Sequence, residues 1–120
     1  MIPEMTDTRW IHWGTMSYLQ ELMKAGIKIY MYRKGFLHSK LFVCDDCLSS
    51  VGSTNMDFRS FEHNFEVNAF MYDRTSALMM KEIFLSDQKD AKLLHLKEWR
   101  MRPWSQKVKE SVIRLFAPLL

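Results

Sequence analysis

An α/β fold, a mixed β-sheet flanked by helices, is what this sequence predicts, and three observations lead to it. Apolar residues recur at helical spacing over residues 6–26. Short β-rich segments, separated by turn residues, occupy residues 27–72. After Asp73 the apolar residues return to helical spacing as far as Pro118. The 120 residues suffice for one domain with one core, and 48% of them are hydrophobic and 26% charged. That balance excludes a disordered or low-complexity chain. With 17 Lys and Arg against 14 Asp and Glu, the net charge of +3 is too slight to mark a nucleic-acid binder. No apolar run approaches the roughly 18 residues of a membrane span, and no signal-peptide pattern opens the chain, so a soluble unit is expected.

Taken in order, Met1-Ile2-Pro3 is expected to be irregular, with no strand at Pro3. A helix begins with Thr6 or Asp7 as its cap, sets His12, Met16, Leu19 and Met23 on one face, and stops at Gly26. Residues 27–32 alternate at first and form a strand, and Lys34-Gly35 turns the chain. Residues 37–44, 48–53 and 65–72 complete four strands in one layer. Leu78, Met79, Met80, Ile83 and Phe84 mark a helix, and Leu93, Leu94, Leu96 and Trp99 a shorter one. Pro103 suits a helix start, after which Trp104, Val108, Val112 and Leu115 make a narrow apolar stripe ending at Pro118. The layer lacks an evident first strand, so the chain is expected to be part of a larger domain.

Cys44 and Cys47 form a lone C-x-x-C. A zinc site needs two more ligands, and His12, His38, His63 and His95 are scattered singly. A redox dithiol usually opens a helix, whereas Asp45-Asp46 marks a turn after a strand, so the pair is expected to be structural. The ten methionines fall mostly in helical stretches, where Met fills irregular core gaps.

The chemistry concentrates in residues 36–55. Residues two apart on a strand share a face, so His38 and Lys40 point the same way, opposite Leu37, Leu41 and Val43. A His beside a Lys suits an anion. In the next strand Gly52 permits close backbone approach, and Ser53 and Asn55 share a face. With neighbouring strands about 4.8 Å apart, His38, Lys40, Ser53 and Asn55 can converge on one tetrahedral anion. Glu66, between Phe65 and Val67, is expected to be a buried carboxylate in need of a partner, with an imidazole N–H nearest in kind. Each feature alone is common, and Gly-Ser-Thr-Asn by itself is an ordinary turn. Together, however, His38-x-Lys40-x4-Asp45-x6-Gly52-Ser53-x-Asn55 fixes six positions in eighteen.

This spacing resembles the second H-x-K-x4-D-x6-G-S-x-N motif of the phospholipase D superfamily. The flanks resemble bacterial cardiolipin synthases: Gly35-Phe36-Leu37-His38-Ser39-Lys40, residues 51–60, and Asn64-Phe65-Glu66-Val67-Asn68. Ile27-Lys28-Ile29-Tyr30 upstream and Arg114-Leu115-Phe116-Ala117-Pro118-Leu119-Leu120 at the end fit the same family.

The resemblance implies a phospholipase D-like half: residues 1–120 as the C-terminal catalytic portion of a two-motif enzyme with membrane segments ahead of it. It implies a bacterial cell-membrane enzyme that makes cardiolipin from two phosphatidylglycerol molecules, releasing glycerol through a phosphohistidine. One imidazole comes from each half, and His38 is assigned the acid/base role. The implied catalytic set is His38, Lys40, Asp45, Asn55 and Glu66, with Asp45 ending its strand and Glu66 fixing an imidazole tautomer. His38, Lys40, Ser53 and Asn55 hold the phosphate, and neither metal nor other cofactor is required. The implied partners are the anionic phospholipid and the N-terminal half carrying the first motif; nucleic acid is not expected. The alternative is a single-motif phosphodiesterase or nuclease of the superfamily, working as a homodimer of this chain.

Residues 97–114 carry Lys97, Arg100, Arg102, Lys107, Lys109 and Arg114 against Glu98 and Glu110, with Trp99 and Trp104 among them. Two readings stay open: contact with an anionic lipid surface, or a solvated helix face over a Trp-filled core.

Overall fold

Two three-stranded sheets, not one layer of four strands, organise the computed structural model, which describes residues 1–6 and 8–116. In chain order the described elements are β1 (Ile2–Pro3), α1 (Arg9–Lys24), β2 (Tyr30–Tyr32), β3 (Lys40–Cys44), β4 (Leu48–Gly52), α2 (Phe58–Glu62), β5 (Asn68–Met71), α3 (Arg74–Gln88), β6 (Ala91–Leu93), α4 (Leu96–Arg100) and α5 (Trp104–Arg114). They fall into two compact units, Met1–Phe36 with Ala91–Leu120, and Leu37–Asp90. The mixed α/β class stands.

In the first unit the sheet order is β1-β2-β6. The expectation of irregular chain at Pro3 is corrected. Ile2 and Pro3 run parallel to Met31 and Tyr32, on an edge where the missing proline N–H costs no ladder bond. The expected helix over Leu93, Leu94, Leu96 and Trp99 is also corrected. Ala91 to Leu93 pair antiparallel with β2, and only Leu96–Arg100 is helical. A short apolar run has no period long enough to separate strand from helix, and here cross-chain pairing decides.

The face foreseen on α1 does pack. Met16 and Leu19 are buried with Ile29, Met31 and Trp99, and Ile2, Met23 and Leu94 close around them. The helix cap is Thr8 rather than Thr6, while Asp7 and Pro118 lie outside the described residues. Gly26 ends α1 as expected: its φ of +86° is left-handed, and its N–H donates to the Met23 carbonyl at 3.1 Å.

Arg102 and Glu110 close this unit with two bonds, Nη1 to Oε1 at 2.6 Å and Nη2 to Oε2 at 2.9 Å. The same guanidinium lies 3.4 Å above the Trp99 ring. The Glu110 side chain is 9% exposed and that of Arg102 20%. Arg102→Ala strands a carboxylate inside the unit and is expected to cost about 2 kcal/mol, below the range for a fully buried pair because Arg102 is partly solvated. Denaturant unfolding checks this; a loss under about 0.5 kcal/mol, the range of ordinary surface changes, contradicts it.

The second unit is an antiparallel meander, β3-β4-β5, with α3 packed on β3 and β4. Ser49 of β4 and Ala77 of α3 are fully buried. Asp45 and Asp46 turn β3 into β4 with φ of 49° and 54°, a left-handed pair that Asp tolerates. The Cys47 N–H closes the turn on the Cys44 carbonyl at 3.2 Å. The Lys81 ammonium of α3 donates to both Asp46 carboxylate oxygens, at 2.7 and 2.9 Å. Cys44 and Cys47 are free thiols, and the bond the Cys44 thiol donates to the Asp45 carboxylate pushes its pKa up.

Candidate active site

Antiparallel pairing places the start of β3, the end of β4 and the start of β5 at one end of the sheet. Lys40 stands opposite Gly52, and Gly52 opposite Asn68. His38 lies just ahead of β3, Ser53 to Asn55 directly follow β4, and Glu66 precedes β5. His38, Lys40, Ser53, Asn55 and Glu66 therefore gather at this end. Asp45 does not, because it lies beyond the opposite end of β3, about 15 Å along the strand from Lys40.

Three local expectations change. Residues 37–39 are not strand, so alternation does not align His38 with Lys40. Instead the Lys40 ammonium donates back to the His38 carbonyl at 2.8 Å. Phe65 and Val67 do not bury Glu66, since both are largely exposed. Nor is an imidazole needed to satisfy its carboxylate: the Ser53 hydroxyl donates to Oε2, Asn64 Nδ2 donates to Oε1 at 3.3 Å, and the Ser60 hydroxyl bonds it as well. These bonds, Ser53 first and then Ser60, together with Asn64 and the Lys40 charge, hold the Glu66 carboxyl below the usual carboxylate range.

Ser53 has one hydroxyl proton, and Glu66 takes it. The Ser53 oxygen accepts the Val67 N–H at 3.0 Å, and the Ser53 N–H donates to the Val67 carbonyl at 2.9 Å. Ser53 thus gives its proton to the Glu66 carboxylate in this arrangement.

Ser60 and Asn68 were given no role by sequence reasoning. Asp57 caps α2 by accepting the Ser60 N–H at 2.8 Å, and the buried Ser60 hydroxyl then accepts the Asn55 N–H at 3.2 Å. Asn68 Nδ2 donates to Thr54 Oγ1 at 2.7 Å, and its Oδ1 accepts the Thr54 N–H at 3.4 Å. Ser60 and Asn68 therefore hold the Ser53-Thr54-Asn55 turn from both sides. A signal existed at Asp57-x-x-Ser60, the spacing of a cap and the N–H it accepts, but nothing local shows where the serine hydroxyl points.

The other histidines lie elsewhere. His12 is on α1 in the first unit, and burial pushes its pKa down; His63 ends α2, and His95 precedes α4. Among the described residues no group of His, Cys, Asp and Glu could hold a metal ion, and no helix is long and apolar enough to cross a membrane.

Residues 1–88 match the family described as cardiolipin synthase, PLD-like domain. The chain belongs to this family. It is 47% identical to cardiolipin synthase 1 of Staphylococcus epidermidis (strain RP62A), 46% to the cardiolipin synthase of Geobacillus sp. (strain WCH70), and 44% to the major cardiolipin synthase of Bacillus subtilis (strain 168). Each alignment takes in all 120 residues, yet the chain spans only about a quarter of each relative's length. No solved structure matches.

Since the folded Glu66 pKa is depressed, its contribution to stability is complete above the unfolded value, near pH 4.3, and is lost as pH falls through the folded value. Thermal unfolding between about pH 5 and 3 is therefore expected to lose stability more steeply in the wild type than in Glu66→Gln. Parallel profiles contradict the network.

Proposed function

We propose that this chain supplies one catalytic half-site of a phosphatidyltransferase that joins two phosphatidylglycerol molecules into cardiolipin and releases glycerol. The carrying observation is the gathering of His38, Lys40 and Asn55 at one end of a sheet in a chain of the cardiolipin synthase family. An imidazole of the other half attacks the donor phosphorus, and the bond to the glycerol oxygen breaks as His38 gives that oxygen a proton. His38 then takes the proton of the incoming glycerol hydroxyl, whose oxygen displaces the phosphohistidine. Lys40 and Asn55 bind the phosphoryl oxygens as negative charge builds on them. Ser53 acts through Glu66, whose carboxylate it holds by a hydrogen bond within the field of the Lys40 charge. Asp45 stays in its turn.

A specific observation favours a lipid over a nucleic acid. Met56, Phe61, Phe65 and Val67 are 64% exposed or more, in the segments that carry Asn55 and Glu66. A rim of large apolar side chains suits acyl chains and offers nothing to a polyanion's backbone.

The test is made in the intact enzyme with phosphatidylglycerol in mixed micelles, following glycerol release and cardiolipin formation together. Lys40→Ala and Asn55→Ala are each expected to lower both rates about a hundredfold to a thousandfold, the effect of removing a preorganised donor. A variant within threefold of wild type removes that residue from the phosphate site.

A further inference from the structure

We propose that the outward face of α5 is a contact for an anionic lipid surface. A helix that only closes its own unit turns its apolar stripe inward, and α5 does the reverse. It buries Glu110 and Ile113 while Trp104 and Leu115 are 78% and 79% exposed, and Val108 and Val112 are exposed between them. These four line one open groove together with Lys107 and Ser111. Trp99, by contrast, is buried, so the tryptophan that fills the core and the one on this face are different residues.

The charges fit a polyanionic plane. At 3.6 residues per turn, Lys107 and Lys109 fall about 100° to either side of the stripe's centre. That is the arrangement of an interfacial helix, whose lysine stems lie along the apolar boundary. Away from lipid the Lys107 ammonium donates to the Arg100 carbonyl at 2.6 Å, a surface bond it exchanges for headgroup phosphates on binding. The one carboxylate of α5, Glu110, is turned inward onto Arg102. Lys109 also lies 5.6 Å from the Trp13 ring, whose edge contact with the exposed Trp10 extends the aromatic surface onto α1. Tryptophans suit a boundary with one wet and one apolar side. Two copies of this face would set lysine against lysine, whereas an anionic bilayer neutralises them. The proposal does not rest on the chemistry assigned to His38, which belongs to the other unit.

The test sediments the 120-residue chain with vesicles of equal parts phosphatidylglycerol and phosphatidylcholine, and with phosphatidylcholine alone. Binding is expected to the first and to be at least tenfold weaker to the second, with bromolipid quenching of a fluorescence component that Trp104→Phe removes. Val108→Ser/Val112→Ser changes only exposed side chains and is expected to weaken binding at least about tenfold. Lys107→Gln/Lys109→Gln is expected to weaken it about 25-fold, and to remove most of the lipid preference. Lys28→Gln/Lys89→Gln removes two exposed lysines outside α5 and is expected to bind vesicles within about threefold of wild type. Equal binding to both vesicle types, no effect of either α5 variant, or a loss in the Lys28→Gln/Lys89→Gln chain as large as in the Lys107→Gln/Lys109→Gln chain overturns the proposal. So does a dimer in solution that Val108→Ser/Val112→Ser dissociates, since the face then belongs to a second copy.

Discussion

His38→Ala in the intact enzyme is expected to lower cardiolipin formation from phosphatidylglycerol by about a hundredfold to ten-thousandfold, the range for losing a positioned general acid and base. The side chain is exposed and precedes β3, so its removal leaves no cavity and the unfolding midpoint should stay within about 2 °C. The assigned role makes a second, sharper expectation. If His38 protonates the departing glycerol, a phosphatidyl donor with a nitrophenol leaving group needs no such proton. The variant should then release a burst of one equivalent of nitrophenol at close to the wild-type rate, after which the transfer to a glycerol hydroxyl stays slow and limits further release. A variant that releases no burst and turns over neither donor identifies His38 as the nucleophile. One that turns over both normally removes it from the chemistry.

What was legible in the sequence was whatever local spacing encodes. The motif over His38, Lys40, Gly52, Ser53 and Asn55 needs only a hairpin to bring its two ends together, and the Asp45-Asp46 turn announces that hairpin. The face of α1 with Met16 and Leu19 was legible for the same reason, since a period of 3.6 is written in consecutive residues. Pairing between distant segments was not. β1 and β6 are two and three residues long and become strands only because β2 lies between them. Glu66 shows the limit most clearly. Its neighbours Phe65 and Val67 suggested burial, but its environment is made by Ser53, Ser60 and Asn64, the second of which arrives through the five-residue helix α2. A carboxylate's partners are a tertiary fact.

Gly52→Ala is expected to destabilise the second unit by about 4 kcal/mol, a value reserved for substitutions the surroundings cannot absorb. Gly52 does not stand at a left-handed φ, so backbone strain is not the reason. The reason is room. A Cβ placed there falls on the Asn68 Oδ1 and the Val67 carbonyl oxygen and lies 2.7 Å from the Asn68 Cα. A flexible side-chain tip could swing away, but Val67 O holds the Ser53 N–H at 2.9 Å, and Asn68 is the residue paired with Gly52 in the ladder. Making space therefore means parting β4 from β5 where the Ser53-Thr54-Asn55 turn begins, so stability and site are lost together. The double variant Gly52→Ala/Asn68→Gly separates the two obstacles: it removes the amide but leaves the Val67 carbonyl and the backbone of residue 68 in place. Partial recovery is expected, well short of wild type, in both unfolding free energy and cardiolipin formation. A single variant that unfolds within about 1 kcal/mol of wild type would show that β4 and β5 can separate at little cost, and that the turn carrying Asn55 is not held by this close approach.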